Sequence, residues 1–399
     1  MKSLLISGLY FPPMTGGISS YMRSIAASLG PQEICCLTGV PAAKQAVESS
    51  LEARTYRRPS AFAKPRHIQA IGFAAAMVEI MLRERPRVVQ LATAYDGYIG
   101  LWLHQWLNLP FVVYAHGNEV LDVLESSWPK PRMSLTQAAR VLANSQFTAQ
   151  LVQKAGVDSA RIEIIHPGCD IDRFQPYEPT AALRREILGS KSGNRVILSV
   201  GNLVARKGHD MVIRALPGLL ESIPEVVYLI VGDGPHRQEL ENLACATGVR
   251  EHVIFAGQIS DERLPETYAL CDAFVMPSRE RLELCDVEGF GMVFLEASAC
   301  GKPVVAGRSG GIGDAVVDGM TGLLVNSLDT NDIGGALRKL LGHRDLAIQL
   351  GRQGRTRVVS DFAWTRIADR VQGILRSVVK DESHSGREVP LASLKRNCE

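Results

Sequence analysis

Short apolar runs alternate with longer amphipathic stretches along almost the whole chain, and this alternation predicts the fold. Runs at 3–8, 34–38, 88–92, 111–115, 141–143 and 162–165 read as buried strands with amphipathic segments between them. An irregular stretch, His166-Pro167-Gly168-Cys169-Asp170-Ile171-Asp172-Arg173-Phe174-Gln175-Pro176, interrupts the pattern. It resumes at 195–200 and continues through 227–231, 253–255, 273–276, 304–306 and 322–325. Repetition of this kind implies an α/β class with parallel sheets and crossover helices. Two such halves, meeting near 168–180, make two Rossmann-like domains that face each other across a cleft. Ligands of open α/β sheets sit beyond the carboxyl ends of the strands, so loops from both halves are expected to line that cleft.

Composition narrows the class of protein without naming an activity. With 399 residues, 46% hydrophobic and 22% charged, the chain is long enough for two folded domains and is not disordered. A net charge of +2 gives no reason to expect nucleic acid as a partner. The 8 cysteines form no CxxC pair and have no His-rich surroundings, which suits reduced, mostly buried thiols in a cytoplasmic protein. The apolar start Leu4-Leu5-Ile6 is short and Pro12-Pro13 end it without a small-residue cleavage site, so it reads as a first strand and not as a secretion signal. No run approaches the ~20 apolar residues that span a bilayer, so any membrane contact is expected to be peripheral.

Two motifs carry chemistry. Glu288 and Glu296 stand with seven residues between them, across the turn Gly289-Phe290-Gly291 that runs into an apolar segment. A surface helix bearing two carboxylates does not account for the glycines, each of which costs up to ~1 kcal/mol inside a helix. Upstream, Arg206-Lys207 follows the strand at 195–200 and is bracketed by Gly201 and Gly208. Carboxylates accept hydrogen bonds from ribose and sugar hydroxyls, and an Arg-Lys pair suits a diphosphate. A nucleotide sugar offers both partners.

These residues resemble those of the family-four retaining glycosyltransferases, which have the GT-B fold, and the resemblance extends over most of the chain. It implies that Arg206 and Lys207 clamp the donor diphosphate, that Glu288 meets the donor sugar or its phosphate, and that Glu296 takes the ribose hydroxyls. Backbone N–H groups around Gly289, Phe290, Gly291, Met292 and Val293 would meet the diphosphate at a helix N-terminus. Gly16-Gly17, after Pro12-Pro13, resembles the family's first loop, which touches the same diphosphate. His116, in Ala115-His116-Gly117-Asn118-Glu119 at a strand's carboxyl end, resembles the family's histidine beside the transferred sugar. His116, Arg206, Lys207 and Glu288 are thus the expected catalytic residues, and Tyr21 and Glu119 the expected acceptor-side ones. Gly201, Gly232, Gly257, Leu264 and Pro277 are expected to border the donor, with the base near 255–258 and 261–264. Asp286-Val287-Glu288-Gly289 resembles family members that use GDP-mannose on phosphatidylinositol mannosides, although so short a match leaves guanine and uracil both open.

Other features are read differently. Gly232-Asp233-Gly234 follows a strand, but Arg237 stands where a dinucleotide fingerprint needs its third glycine. Asp170-Ile171-Asp172 falls in the interdomain segment, where the resemblance implies a hinge, and no metal is expected because basic residues and helix ends neutralise the diphosphate. Where the family often continues Gly-Gly-x-Pro-Glu, this chain has Gly310-Gly311-Ile312-Gly313-Asp314, which predicts a looser helix start and leaves the usual glutamate's role to Asp314. On the acceptor side, Arg54, Arg57, Arg58, Lys64, Arg66, Arg83, Arg85 and Arg87 surround Phe62, Ile68, Ile71, Phe73, Met77 and Ile80. Such a surface suits either an anionic bilayer or a solvated face over a buried helix.

The reading is a retaining enzyme that moves a hexose, of mannose or glucose type, from a nucleotide diphosphate sugar to a hydroxyl of a glycan, glycolipid or polyol. GDP-mannose is the favoured donor and a UDP-sugar the other. The expected divisions are 1–172 (acceptor side), 173–360 (donor side), a helix within 361–380 that packs back on the first domain, and a flexible tail at 381–399. A sugar-nucleotide epimerase, a phosphorylase and a catalytically silent nucleotide-sugar-binding partner share the fold and remain as alternatives.

Overall fold

The computed structural model describes residues 1–14, 16–41, 52–62 and 66–384. The first sheet contains β1 (Ser3–Ser7), β2 (Ile34–Thr38), β3 (Thr55–Arg57), β4 (Val88–Leu91), β5 (Phe111–Ala115), β6 (Arg140–Ala143) and β7 (Ile162–Ile164), in the order β3-β2-β1-β4-β5-β6-β7. The second contains β8 (Arg195–Val200), β9 (Val226–Val231), β10 (Val253–Gly257), β11 (Ala273–Met276), β12 (Val304–Gly307) and β13 (Leu323–Val325), in the order β10-β9-β8-β11-β12-β13. Every strand pairing is parallel. Strands covered by helices on both faces are mostly apolar, and β1, β2, β5, β9 and β11 are buried at every residue.

The strand absent from the sequence reading is β3. It has three residues, lies at the sheet edge, and of Thr55, Tyr56 and Arg57 only Tyr56 is buried, so it has no apolar run to reveal it.

Strand order fixes where ligands can sit. The direction of winding reverses between β1 and β4 in the first sheet and between β8 and β11 in the second. Crevices open at such switch points outside the carboxyl ends of parallel strands. The loops that leave these four strands begin at residues 8, 92, 201 and 277.

The helix Trp364–His384 returns to the first domain, where Ile367, Val371, Leu375 and Val378 join a core with Leu5, Tyr21, Ile25 and Tyr114. It runs further than the predicted 361–380. Asp381 and the residues to His384 are helical, and Asp381 is tied to Arg140 at 3.1 Å, which anchors the start of the expected tail. The rest of that tail, from 385 on, and Lys64 lie outside the described residues. The segments that cross between the domains run side by side: the Cys169 amide donates to the Phe362 carbonyl at 2.7 Å, and Gly168 packs against Trp364 with no room for a side chain.

Candidate active site

The loop after β8 presents Arg206 and Lys207 on a single turn of 3-10 helix, Ala205–Lys207, which Gly208 ends in the left-handed conformation at φ 74°. Gly208 cannot be larger, since an added Cβ would meet the Pro277 carbonyl at 2.3 Å. Pro277 is thus a buried wall of the loop. The Arg279 amide donates to the Arg206 carbonyl at 2.9 Å and tightens the same junction. The rejected dinucleotide motif has a structural purpose here. Gly232 lies so close to Gly201 that a Cβ would be 2.1 Å from its carbonyl, and the Asp233 carbonyl accepts the Leu203 amide at 3.0 Å. The glycines of β8 and β9 therefore hold the Arg-Lys loop down.

Opposite it, the loop after β11 closes on itself through the Arg281–Asp286 bridge and delivers Glu288. Arg206 Nε donates to Asp286 at 2.7 Å and its Nη1 to Glu288 Oε2 at 2.7 Å, while Lys207 Nζ donates to the same oxygen at 2.6 Å. These side chains are mostly buried. Burial alone would raise the Glu288 carboxyl, but the Lys207 and Arg206 charges and their hydrogen bonds hold it below its ordinary value. Asp286, part of the motif but given no role from sequence, thus completes a neutral cluster of two cations and two carboxylates. A diphosphate entering here can take over the cations' hydrogen bonds, and negative charge building on a departing phosphate would meet fixed positive groups.

Gly291, at φ 92°, precedes the helix Met292–Ala299, whose first amides have no partner within the helix. Across the cleft, Gly17 approaches to 3.8 Å between a Cβ built on it and the Met292 methyl, so the Gly16-Gly17 loop and this helix start share one space. Phe290 offers that space only its backbone, since its ring is buried, stacked on His166 at 5.3 Å. Val293 packs against the core of the second domain. Glu296 lies one turn further in and accepts from the Tyr268 hydroxyl at 2.6 Å, with burial raising its carboxyl. At the far edge, Gly257 turns at φ 70° and accepts the Gly232 amide at 2.8 Å, and Leu264 packs against the same core.

His116 sits at the carboxyl end of β5, almost buried. Its Nε2 is 2.8 Å from the Ala92 carbonyl, which can only accept, so Nε2 carries a proton and Nδ1 takes no part in that bond. Glu119 folds back to accept the His116 amide, which fixes the 116–119 turn. Tyr21 differs from expectation: its hydroxyl is spent on the Ile165 carbonyl at 2.8 Å, and its ring packs edge-on to His116 at 5.7 Å. It therefore supports His116 from within the core and does not face an acceptor. The period of Tyr21, Met22, Ile25 and Ala26 on the helix Gly17–Leu29 already marked it as buried.

The two halves meet at this site. Asn118 Oδ1 accepts the Val287 amide of the second domain at 2.9 Å, and within the first domain Asn144 Nδ2 donates to the His116 carbonyl at 3.1 Å. Neither was found from sequence, and the only available signal was a polar residue just beyond a buried strand. The Gly310-Gly311 segment is tight, contrary to expectation. Gly310 donates to Glu280 at 2.7 Å and Gly311 to the Glu288 carbonyl at 2.9 Å, because the absent side chains let it lie flat on the glutamate turn. Asp314 points at the first domain and accepts the Gln146 amide at 2.5 Å. Asp170 accepts the Arg173 amide at 3.0 Å in a local turn.

Residues 15–173 match the model described as Glycosyltransferase Family 4, and residues 182–357 the one described as Glycosyl transferases group 1. The GDP-mannose-dependent alpha-(1-6)-phosphatidylinositol monomannoside mannosyltransferase of Mycolicibacterium smegmatis is 35% identical over 91% of this chain and 96% of its own. A D-inositol 3-phosphate glycosyltransferase of Geodermatophilus obscurus is 31% identical over 81% of this chain and 74% of its own. Among solved structures, Anabaena HepE in complex with UDP superposes with a TM-score of 0.78 at 22% identity, covering 94% of this chain and all of that one. Sucrose-phosphate synthase from Thermosynechococcus elongatus gives 0.78 at 25% identity, covering 96% and 100%. With two parallel Rossmann-like sheets and these relatives, the chain belongs to glycosyltransferase family 4, as a nucleotide-sugar-dependent hexosyltransferase of GT-B fold.

Proposed function

We propose that this enzyme transfers mannose from GDP-mannose to a hydroxyl of a membrane glycolipid of the phosphatidylinositol mannoside type. The observation that carries the donor reading is the Arg206–Lys207–Glu288 cluster beside Asp286, in a chain 31–35% identical to four enzymes named for that donor. Residues 1–172 hold the acceptor and 173–360 the donor. Arg206, Lys207 and the amides at Gly291–Val293 take the diphosphate, Glu296 the ribose, and His116 Nδ1 a hydroxyl of the transferred sugar. The step is oxocarbenium-like, with the departing phosphate accepting the acceptor's proton on the same face, which retains the anomeric configuration. A UDP-sugar donor, as in the solved neighbours that hold UDP and UDP-glucose, and an inositol phosphate acceptor form the second reading, the acceptor favoured by the identity to the D-inositol 3-phosphate glycosyltransferases.

Melting temperatures with GDP, UDP and ADP, in the native chain and in Arg206→Ala, test the donor. A nucleotide at about 100 times its Kd adds ~2.7 kcal/mol of stability. Stabilisation by GDP alone, lost in Arg206→Ala, supports GDP-mannose, whereas a UDP response overturns it.

Membrane contact rests on an apolar ridge and not on the basic cluster. Phe73, Met77 and Ile80 are core residues, while Ile71, Val78 and Leu82 on the helix Arg66–Arg83 are 71%, 61% and 72% exposed. Trp102 and Trp106 extend the ridge from the helix Gly97–Leu107, with the Trp102 ring against Phe73. Four of the cluster's arginines are engaged within the domain: Arg58 and Arg83 with Glu79, Arg54 with Glu84, and Arg57 with the Pro12 and Val40 carbonyls. No helix among the described residues is long and apolar enough to cross a membrane. Sedimentation with anionic vesicles tests the ridge: binding that survives Ile71→Ser with Leu82→Ser rules it out.

A further inference from the structure

The helix Gln146–Lys154 of the first domain begins where the second domain touches it. Its own N-cap, Ser145, accepts the Thr148 amide through its hydroxyl at 3.1 Å. The first amide of the helix, on Gln146, has no partner within the helix. Asp314 supplies one from the other domain, accepting it at 2.5 Å. His166 Nδ1 stands 3.9 Å from the same carboxylate but is hydrogen-bonded to the Asn144 carbonyl at 3.1 Å. The Gln146 amide is therefore what the carboxylate holds, and a negative charge at a helix N-terminus gains from the helix dipole as well as from the bond.

The backbone of Asp314 is fixed to the second domain. Its carbonyl accepts Arg357 Nη2 at 2.7 Å, and the same guanidinium reaches the Ala315 carbonyl at 2.8 Å and lies 4.8 Å from the centre of the Phe362 ring. The Asp314 amide donates to the Gly311 carbonyl at 3.1 Å, and the Gly311 amide to the Glu288 carbonyl at 2.9 Å. Gly311 is wedged in place, since a Cβ built on it would lie 2.0 Å from the Gly289 carbonyl and 2.6 Å from Ser145 Oγ. On the other side, Asn144 precedes the capped helix and donates to the His116 carbonyl at 3.1 Å. One run of bonded residues thus leads from the glutamate turn through Gly311, Asp314 and the start of the Gln146–Lys154 helix to His116. In that run the Asp314–Gln146 bond is the one that crosses between the domains.

We propose that Asp314 is a positioning residue for transfer: it caps a first-domain helix from the second domain, and this cap sets His116 against the turn that carries Glu288. Such a bond exists only while the halves stand as they do here, so it weights this arrangement over any more open one and leaves the diphosphate contacts of the second domain unchanged. The proposal rests on the roles given above to His116 and Glu288, whereas the cap itself is tested without them.

Two substitutions remove the bond from opposite sides. Asp314→Ala takes away the acceptor at a helical position, within Ile312–Ala315, that suits alanine. Gln146→Pro takes away the donor: proline is favoured at the first position of a helix, Ser145 before it is already extended at φ −158° and ψ 165°, and the Gln146 side chain is exposed. Hydrogen exchange in the full chain reads the cap directly. The Gln146 amide should be protected roughly tenfold or more and lose that protection in Asp314→Ala. The Ala149 amide, bonded to the Ser145 carbonyl at 2.9 Å, should stay protected and so show that the helix is intact. The radius of gyration from small-angle scattering should rise in both variants, and no further in the double variant. Hydrolysis of GDP-mannose or UDP-glucose should fall roughly tenfold in kcat in each, again without a further fall in the double variant, while the melting-temperature gain from the nucleotide is kept. A Gln146 amide that exchanges equally fast in the native chain and in Asp314→Ala overturns the cap. Losses that multiply in the double variant, or an unchanged radius with native turnover, overturn the positioning role. If the native chain hydrolyses neither nucleotide sugar, the donor reading fails, and exchange and scattering still decide the proposal.

Discussion

The carbonyl oxygen of His116 occupies the place where a side chain at Gly289 would begin: a Cβ built there lies 1.9 Å away. The residue expected beside the transferred sugar and the turn that carries Glu288 therefore touch through backbone alone, one from each domain. The glycine is a condition of that contact and not a helix breaker.

Gly289→Ala is expected to keep both domains folded and to force them apart at this point. Overpacking of about 1–3 kcal/mol should lower transfer by about tenfold or more. Steady-state kinetics together with the radius of gyration by small-angle scattering check this, and a rate drop without expansion would point to a local effect on Glu288.

Arg206→Ala and Lys207→Ala should each lower kcat by about 10²–10³, since each removes a preorganised donor to the leaving phosphate. Burst experiments should show the loss in the chemical step. A change in KM alone would mean that the pair only binds.

Asp286 and Arg206 should couple. Asp286→Asn alone is expected to cost a few-fold in rate, and a double-mutant cycle with Arg206→Lys should give about 0.5–3 kcal/mol of interaction energy. Additive effects would make Asp286 a bystander.

His209, the residue after Gly208, predicts a pH dependence of stability. Burial first, and then the Lys207 charge, push its imidazole from 6.5 down to about 4. Between those values the unfolded chain takes up a proton that the folded chain refuses, so stability falls as pH drops from about 6.5 to about 4. The loss is ~3 kcal/mol when integrated. The urea midpoint of the native chain should fall more steeply over that window than that of His209→Asn, and parallel curves would count against it.

Much of this was legible in the sequence because the strands are buried on both faces and reveal themselves as apolar runs. Glu288, Glu296, Arg206 and Lys207 were legible because glycines bracket them in positions no ordinary helix or loop requires. Tyr21 was misjudged in what its side chain does, since a position beside a motif does not say whether a ring faces the cleft or the core. Asn118, Asn144 and Glu280 depend on contacts between segments distant in sequence, which periodicity cannot reveal. The apolar ridge at Ile71, Val78, Leu82 and Trp102 was blurred because buried and exposed apolar positions alternate on one helix.

The paired crossing at Cys169 and Phe362 has a mechanical meaning. One connecting strand would let the halves swivel freely, but two strands joined by hydrogen bonds form a strip that bends far more easily than it twists. Any opening that admits or releases a nucleotide would then follow a single angular coordinate, like a door on a flat hinge. One label on each half would suffice to follow it, and bending of the strip at Gly168 would be felt at Trp364 before anywhere else.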